Sequence, residues 1–261
     1  MRGFFLRLFG KKNIKAKRSL EPSLLLGCIK GKKDVRDYRY TTSVQTFPED
    51  HIISQLPPVR NQERIGSCCS HAVIGAYETL MLNKAPRRFL EGSELYHYWN
   101  ARHLIANSGD ADSGMTIRDG CKTIDKYHMA TEYAWPYLTA KFNTKPPWWV
   151  YATSGAYKIK EYQRLTNLAQ IKASLLEGVP VVVGIQAMRS IFTLQGENSL
   201  YVPKGESVGG HAVLIIGYDD QDGVFLFRNS WGFFWGNEGN FEMRYEDFQK
   251  FSFDWFRILI Q

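Results

Sequence analysis

The pattern of apolar residues in this 261-residue chain changes near residue 150. Before that position apolar residues recur at helical spacing, and after it short runs rich in Val, Ile and Phe predict strands. In the clearest helix, residues 68–84, the recurring apolar positions are Ala72, Val73, Ala76, Tyr77, Leu80 and Met81. Helices followed by strands are typical of α+β proteins. We therefore expect an α+β fold of two lobes, a helical lobe at about residues 60–145 and a β-rich lobe at about residues 150–261.

Breaks in these patterns set the expected boundaries of the elements. Pro86 ends the first helix, Gly178 ends a later one, and residues 219–223 form a hairpin turn. Residues 148–151, Trp-Trp-Val-Tyr, follow a proline-rich loop and are expected to pack at the boundary between the lobes. The predicted helices are residues 68–84, 93–104, 116–127 and 168–176, and the predicted strands are residues 179–183, 211–218, 224–228, 240–244 and 255–260.

Positive charge is concentrated at the N-terminus. Ten Lys and Arg residues and the single acid Glu21 give residues 1–33 a charge of +9, and because the whole chain carries +7, the remaining residues carry −2. We expect residues 1–33 to form a flexible basic arm and residues 34–261 to form the folded domain. A nearly neutral domain lacks the basic face of a nucleic-acid-binding protein, so we expect no nucleic-acid partner.

Residues 1–18 interleave Phe and Leu with Arg and Lys, and two interpretations stay open. On a helix Phe4, Phe5 and Leu8 share a face that would make a peripheral contact with an anionic membrane surface. Alternatively, the segment is a solvated basic tail. Its apolar run is too short for a classical signal peptide, and no run approaches the roughly 18–20 apolar residues that span a bilayer. We expect a protein of the cytoplasm, or one exported by a non-classical route.

Three short segments contain the side chains needed to attack an acyl carbon through sulfur. The first, Asn-Gln-Glu-Arg-Ile-Gly-Ser-Cys, contains Gln62 and ends at Cys68, where the first predicted helix begins. The second, Gly-His-Ala-Val, contains His211, and the third, Asn-Ser-Trp-Gly, begins at Asn229. A thiol, an imidazole and two carboxamides in this order predict a cysteine-type nucleophilic site.

The chemistry of a thiol nucleophile assigns a role to each side chain. Only the thiolate attacks, and both a helix N-terminus and a neighbouring imidazolium favour it at Cys68. His211 supplies that imidazolium and later returns a proton to the leaving amine. Asn229 accepts a hydrogen bond from the other ring nitrogen, and Trp231 shields this bond from water. The Gln62 side-chain N–H and the Cys68 backbone N–H form a two-donor oxyanion hole.

Together the three segments resemble the signature segments of the papain-like cysteine peptidases, as found in stand-alone bacterial members. The resemblance covers about residues 27–260. It implies a helical lobe and a β-barrel-like lobe with the active site in the cleft between them. It also implies hydrolysis of peptide bonds in a peptide or protein substrate, through a Cys-His-Asn triad with a Gln oxyanion donor and no cofactor.

The resemblance further implies positions that bind the substrate. Gly114 matches the glycine edge that pairs with substrate backbone, although an ordinary loop glycine is the alternative. Val208 lies where the main specificity pocket is lined. Gly210 and Trp231 complete the expected set of substrate-binding residues.

The chain departs from the family pattern in four places, one of which is Glu63, where a glycine often follows the oxyanion glutamine. Cys69 stands where an aromatic residue usually follows the nucleophile, and Ile65 stands where many members have a disulfide cysteine. About 57 residues precede Pro58 in this sequence, so we expect the long inhibitory prosegment of secreted members to be absent. One hypothesis is that the basic arm crosses the cleft as a short plug. Two alternatives also stay open, a catalytically silent binding module of papain fold and an acyl or transpeptidyl transferase that uses the same triad.

The remaining cysteines and histidines are weaker candidates for a functional role. Four cysteines are too few for a disulfide framework, and Cys28, Cys69 and Cys121 are expected to pack. His71 lies one helical turn after Cys68 and is a rival base. No second Cys/His pair at zinc spacing accompanies this one, so we expect no metal site.

Overall fold

The computed structural model describes residues 26–35, 37–197 and 199–260. Within these ranges the helices are α1 (Cys68–Lys84), α2 (Glu94–Asn100), α3 (Ile117–Tyr127), α4 (Trp148–Ser154), α5 (Leu168–Leu176) and α6 (Tyr245–Phe251). The strands are β1 (Cys28–Ile29), β2 (Asp50–Ile52), β3 (Met115–Thr116), β4 (Ile159–Leu165), β5 (Val181–Met188), β6 (Ser207–Asp219), β7 (Val224–Arg228), β8 (Asn240–Arg244) and β9 (Ser252–Ile260). A π-helical turn, Ala101–Ile105, continues α2.

Side-chain caps determine where three of the helices begin. The Ser93 hydroxyl accepts a hydrogen bond from the backbone N–H of Tyr96 at 3.1 Å, and the Thr116 hydroxyl accepts one from Asp119 at 3.0 Å. The side chain of Asn167 caps α5 in the same way. Each cap satisfies a backbone donor that the first helical turn leaves without a partner, so α2, α3 and α5 start directly after these residues.

Seven strands form one sheet with the order β4-β9-β5-β6-β7-β8, and β2 pairs with the end of β6. All pairs in this sheet are antiparallel. Val182 belongs to the core that contains α1, α2 and α3, whereas its neighbours Val181 and Val183 belong to a second core that contains α5 and α6. Because both faces of the sheet are covered, its central strands are continuously apolar rather than alternating.

The central helix α1 links the helical part of the chain to the sheet. Thirteen of its seventeen residues are buried, because it packs against α2 and α3 on one side and β6 and β9 on the other. A helix that is apolar nearly all round is typical of the interior of a protein. Its first residue therefore lies deep between the two parts, and the predicted α+β class is confirmed.

One expectation about the architecture was wrong, and a second was wrong in part. The β-rich part is not closed into a barrel, because β4 and β8 are opposite edges of the sheet and no pairing joins them among the described residues. Helices cover the apolar faces of this sheet, so closure is not needed to bury them. Of residues 148–151, Trp148 and Trp149 are 79% and 44% exposed and do not pack at a lobe boundary, whereas Val150 is buried and Tyr151 packs partly buried against the core that contains α1.

Across the part of the chain that the structure describes, none of the helices is both long and apolar enough to span a membrane. The predicted membrane contact of residues 1–18 lies outside the described residues, as does most of the predicted basic arm.

Candidate active site

The fold brings Cys68, His211 and Asn229 together from three separate elements. Cys68 is the first residue of α1, and its side chain is fully buried. His211 lies on β6, the strand against which α1 packs, and Asn229 directly follows the adjacent strand β7. The antiparallel register places Leu214 opposite Arg228, so the ends of β6 and β7 that carry His211 and Asn229 lie side by side.

Asn229 and Trp231 hold the imidazole of His211 in one orientation. The His211 Nε2 lies 2.7 Å from the Asn229 Oδ1, which can only accept, so Nε2 carries the proton. The indole of Trp231 stacks on the imidazole with ring centroids 4.6 Å apart and an interplanar angle of 28°. The hydrogen bond is thereby covered by a ring that is itself only 5% exposed. Because Nε2 is occupied by Asn229, contact with the Cys68 thiol is left to Nδ1.

The surroundings of Cys68 favour its thiolate. Burial alone would raise the pKa of the Cys68 thiol. The neighbouring Cys69 thiol, the imidazole of His211 with its charge, and the backbone N–H of Ala212 outweigh burial and hold that pKa well below its usual value. The position at the helix N-terminus acts in the same direction, since the first-turn N–H groups favour negative charge.

Gln62 is fixed beside this site through the loop after Asn229. The backbone N–H of Gln62 donates to the carbonyl of Ser230 at 2.8 Å, and the N–H of Gly232 donates to the carbonyl of Arg60 at 2.9 Å. The side chain is held as well: the Ser230 hydroxyl donates to the Gln62 Oε1 at 2.6 Å, and the Gln62 Nε2 donates to the carbonyl of Ile65 at 3.0 Å. The carboxamide is therefore buried in one orientation, with its nitrogen on the side of the Cys68 loop.

The expected substrate-binding residues differ in their accessibility to a ligand. Gly114 has a φ of +68°, and its N–H donates to the Tyr98 hydroxyl at 3.1 Å. Val208 is partly buried near the start of β6, and Gly210 lies on the same strand. Trp231 presents little surface to any ligand because it is nearly fully buried against His211.

Residues 26–29, which we call the cleft segment, lie across this site. The carbonyl of Gly27 accepts a hydrogen bond from the backbone N–H of Met115 at 2.9 Å, and β1 pairs in parallel with β3. A Cβ atom at Gly27 would lie 2.0 Å from the carbonyl oxygen of Gly66, and one at Gly210 would lie 2.0 Å from the carbonyl oxygen of Cys28. The segment is therefore pressed between the loop before Cys68 and the strand that carries His211.

His71, the rival base, supports the first turn of α1. Its Nδ1 lies 3.1 Å from the carbonyl oxygen of Ser67, and burial lowers the pKa of His71 to about 4. The ring is therefore neutral and donates from Nδ1 to that carbonyl, close to the start of the helix.

Sequence reasoning missed two contributors to the site. Ser230 lies inside the Asn-Ser-Trp motif, and this position was a signal that its hydroxyl could act on Gln62. Asp112 has no such signal: its two carboxylate oxygens each lie 3.0 Å from the backbone nitrogen of Gly66, and it accepts a hydrogen bond from the Tyr98 hydroxyl. These contacts orient the loop that precedes Cys68.

Comparisons with known proteins agree with this geometry. The sequence profile of the papain family cysteine proteases matches residues 49–253. An uncharacterized peptidase C1-like protein of Acanthamoeba polyphaga mimivirus is 32% identical over 236 residues, which are 82% of this chain and 76% of that protein. Peptidase 1 of Dermatophagoides farinae is 26% identical over 192 residues, 70% of this chain and 56% of that protein.

Solved structures agree as well. Xylellain, a cysteine protease from Xylella fastidiosa, superposes with a TM-score of 0.84 at 29% identity over 95% of this chain and 100% of that one. Digestive procathepsin L 3 of Tenebrio molitor shares the fold, with a TM-score of 0.70 at 19% identity over 89% of this chain and 76% of that one. The chain belongs to the papain family of cysteine proteases. The predicted family, fold class and peptidase activity are thereby confirmed.

Proposed function

We propose that this chain hydrolyses peptide bonds, with Cys68 as the nucleophile, His211 as the general acid and base, Asn229 as the orienting group and Gln62 as an oxyanion donor. The observation that carries the proposal is the lowered pKa of Cys68 beside an imidazole whose Nε2 is bonded to Asn229. A thiolate and an oriented imidazole are the two groups that acyl transfer to sulfur requires.

The reaction would proceed from this geometry in two stages. The Cys68 thiolate attacks the scissile carbonyl, and the His211 Nδ1 gives its proton to the leaving amine, which produces an acyl-enzyme. The neutral His211 then takes a proton from water, and the resulting hydroxide releases the acyl group and restores the thiolate. Because the Asn229 Oδ1 accepts from Nε2 throughout, Nδ1 remains the nitrogen that exchanges the proton.

Gln62 and the backbone N–H of Cys68 would stabilise the oxyanion that forms in both stages. The hydrogen bond from Ser230 to the Gln62 Oε1 supports this role, because it sets the carboxamide with its nitrogen toward the Cys68 loop before substrate arrives. Donors that are oriented in advance need no reorganisation during the reaction.

The cleft segment would restrain this activity until it is displaced. Gly27 lies against Gly66, Cys28 lies against Gly210, and Cys68 is fully buried with the segment in this position. A substrate that pairs with Gly114 would have to replace the Gly27 carbonyl, since a Cβ at Gly114 would lie 2.0 Å from that oxygen. This arrangement supports the hypothesis that part of the N-terminal arm acts as a short plug.

Covalent labelling tests the proposal. The full-length chain is treated with an epoxysuccinyl inhibitor of thiol proteases at mildly acidic pH, and the adduct is located by peptide mapping. We expect one adduct, on Cys68, that is absent in Cys68→Ala and much slower in His211→Ala. Slow labelling scattered over Cys28, Cys69 and Cys121 would contradict the assignment.

The burial of Cys68 also favours one other function, a binding module whose cleft stays occupied. Displacement of the cleft segment distinguishes the two functions. A peptidase with an open cleft cleaves a fluorogenic peptide, whereas a silent module labels and cleaves no better than before.

A further inference from the structure

Three of the four cysteines lie together where the cleft segment meets the start of α1. Cys69 follows Cys68 on α1, and its thiol lies 3.3 Å from the carbonyl oxygen of Met115, to which it donates a hydrogen bond. Met115 is the residue that pairs with Cys28 in the parallel β1–β3 ladder. Cys28, Cys68 and Cys69 belong to the same buried core cluster, and the thiols of Cys28 and Cys68 are among the groups that raise the pKa of Cys69.

This grouping is not used by the proposed peptidase reaction, which needs only Cys68. The fourth cysteine, Cys121, lies on α3, a different element from the other three, and no thiol is among the main groups that shift its pKa. A chain with four buried free cysteines thus keeps three of them at one place, where a segment from the N-terminus meets the reactive residue.

We propose that Cys28 and Cys69 form a reversible disulfide that fastens the cleft segment over Cys68. The two residues are about 41 positions apart in sequence but are brought together by the β1–β3 pair. A bridge between Cys68 and Cys69 is disfavoured, because both residues are in the first turn of α1 and their side chains point about 100° apart around the helix axis. Cys28 is the partner that the fold supplies.

Cys68 is the thiol that reacts first with an oxidant, and a small peroxide is the class of oxidant that fits a buried site. Its pKa is lowered, whereas burial raises the pKa of Cys28 and of Cys69, so Cys68 is the thiol that exists as the nucleophilic thiolate. The thiolate takes one oxygen atom from the peroxide O–O bond and becomes a sulfenic acid, while the other oxygen leaves as hydroxide. The sulfur is oxidised by two electrons and the peroxide is reduced by two.

Two thiol reactions then convert the sulfenic acid on Cys68 into the Cys28–Cys69 disulfide. The Cys28 thiol attacks the sulfenic sulfur, a Cys28–Cys68 disulfide forms, and water leaves with the thiol proton. Cys69 next attacks the Cys28 sulfur, which forms the Cys28–Cys69 disulfide and releases Cys68 as the thiolate, with the Cys69 proton neutralising the hydroxide. In sum, two thiols and one peroxide give one disulfide and two waters. The second step is favoured because the thiol of lowest pKa is the best leaving group.

The result is a cleft that is closed covalently over a nucleophile that stays reduced. The bridge would tie β1 to the first turn of α1, so the cleft segment could no longer leave and admit a substrate. A dithiol reductant would break the bridge and restore opening. This inference rests on the proposed function in that it takes Cys68 as the reactive thiolate, but the bridge itself can be detected without any activity.

The test uses the full-length chain, a near-stoichiometric amount of hydrogen peroxide, and alkylation of the remaining thiols after denaturation. We expect the intact mass to fall by two hydrogen atoms, and the alkylated thiols to be Cys68 and Cys121. Labelling of Cys68 by the epoxysuccinyl inhibitor should slow by about 30-fold or more, the low end of what a disulfide typically contributes, and dithiothreitol should reverse it.

Two variants and a control separate this bridge from other oxidation. Cys28→Ser should lose the bridge and instead gain irreversible oxygen adducts on Cys68. Cys69→Ser should stop at the Cys28–Cys68 disulfide, which leaves Cys121 as the alkylated thiol, whereas Cys121→Ala should behave as the unchanged chain does. Four alkylated thiols after peroxide treatment, or a bridge that persists in Cys28→Ser, would overturn the proposal. If Cys68 forms no adduct in the reduced chain but the bridge appears in the mass after peroxide treatment, the peptidase assignment fails and the disulfide stands.

Discussion

The cleft segment should be displaced by adding a side chain at Gly27. A Cβ atom there would lie 2.0 Å from the carbonyl oxygen of Gly66, which is backbone and cannot rotate away. Gly27→Val therefore forces the segment off the loop before Cys68 and breaks the hydrogen bond between the Gly27 carbonyl and the Met115 N–H. Cys68, which is fully buried with the segment in place, should become accessible.

The size of the effect depends on the contacts that the segment loses. One backbone hydrogen bond contributes about 0.5–1.5 kcal/mol, and withdrawal of the buried Cys28 side chain costs about 1 kcal/mol more. A loss of about 1.5–2.5 kcal/mol raises the population of the open cleft by about 10- to 70-fold, and the rate of labelling rises by the same factor as long as opening limits it.

The assay is the second-order rate of Cys68 modification by the epoxysuccinyl inhibitor, measured with a reductant present so that no disulfide forms. The matched control is Gly155→Val, since Gly155 is exposed, has a φ of −59° and has no atom within 4 Å of its Cβ position. An unchanged rate in Gly27→Val, with Gly155→Val equal to the unmodified chain, would show that the segment does not limit access.

Three further perturbations test the site and its surroundings. Gln62→Ala should lower kcat about 10²- to 10³-fold with little change in KM, the usual effect of removing one oxyanion donor, and the exposed Gln55→Ala should leave both constants unchanged. His211→Ala removes a group that lowers the pKa of Cys68 and leaves the burial that raises it. Iodoacetamide alkylation of Cys68 at pH 6 should therefore slow by about tenfold for each unit that this pKa rises. Equal alkylation rates in His211→Ala and the unchanged chain at every pH would refute the thiolate assignment. Burial, together with the neighbouring Glu94, raises the pKa of Glu78 to about 8. The folded protein therefore retains a proton on Glu78 that the unfolded chain loses at about pH 4.5. Because of this difference, the free energy of unfolding should fall as the pH rises from about 4.5 to 8. Urea titrations at pH 5 and pH 8 should show a smaller difference for Glu78→Gln, and an undiminished difference would assign the pH dependence to other groups.

The elements that the sequence predicted best are those with strong local signals. The limits of α1 follow from its apolar spacing and from Pro86, and β7 is bounded by a hairpin turn. The strand β4 was missed because its interior, Lys-Glu-Tyr-Gln-Arg, is polar. It is an edge strand that pairs with β9 on one side, so its conformation is set by a partner almost a hundred residues away rather than by its own pattern.

In the candidate site, too, some residues could be predicted from short motifs and others could not. Gln62, Cys68, His211 and Asn229 lie in short motifs whose chemistry can be recognised from sequence, and the fold brings them together. The position of Gly27 could not be predicted, because its contacts with Gly66 depend on how β1 pairs with β3. The small side chain at Cys69 was visible in the sequence as a departure from the family, but its contact with Cys28 required the three-dimensional structure.

The direction of the carbonyl groups in the cleft segment explains how a peptide can lie over an activated thiolate and still not be positioned for cleavage. The Gly27 carbonyl is taken by the N–H of Met115, and the Cys28 carbonyl faces Gly210 on β6. A scissile carbonyl must point instead toward Gln62 and the backbone N–H of Cys68, where the oxyanion would be stabilised. Because the parallel β1–β3 pairing sets both directions, the segment covers the proposed nucleophile Cys68 without presenting a carbonyl at the proposed oxyanion hole. Displacement, rather than cleavage of the segment at this point, is therefore the event that we expect to open the cleft.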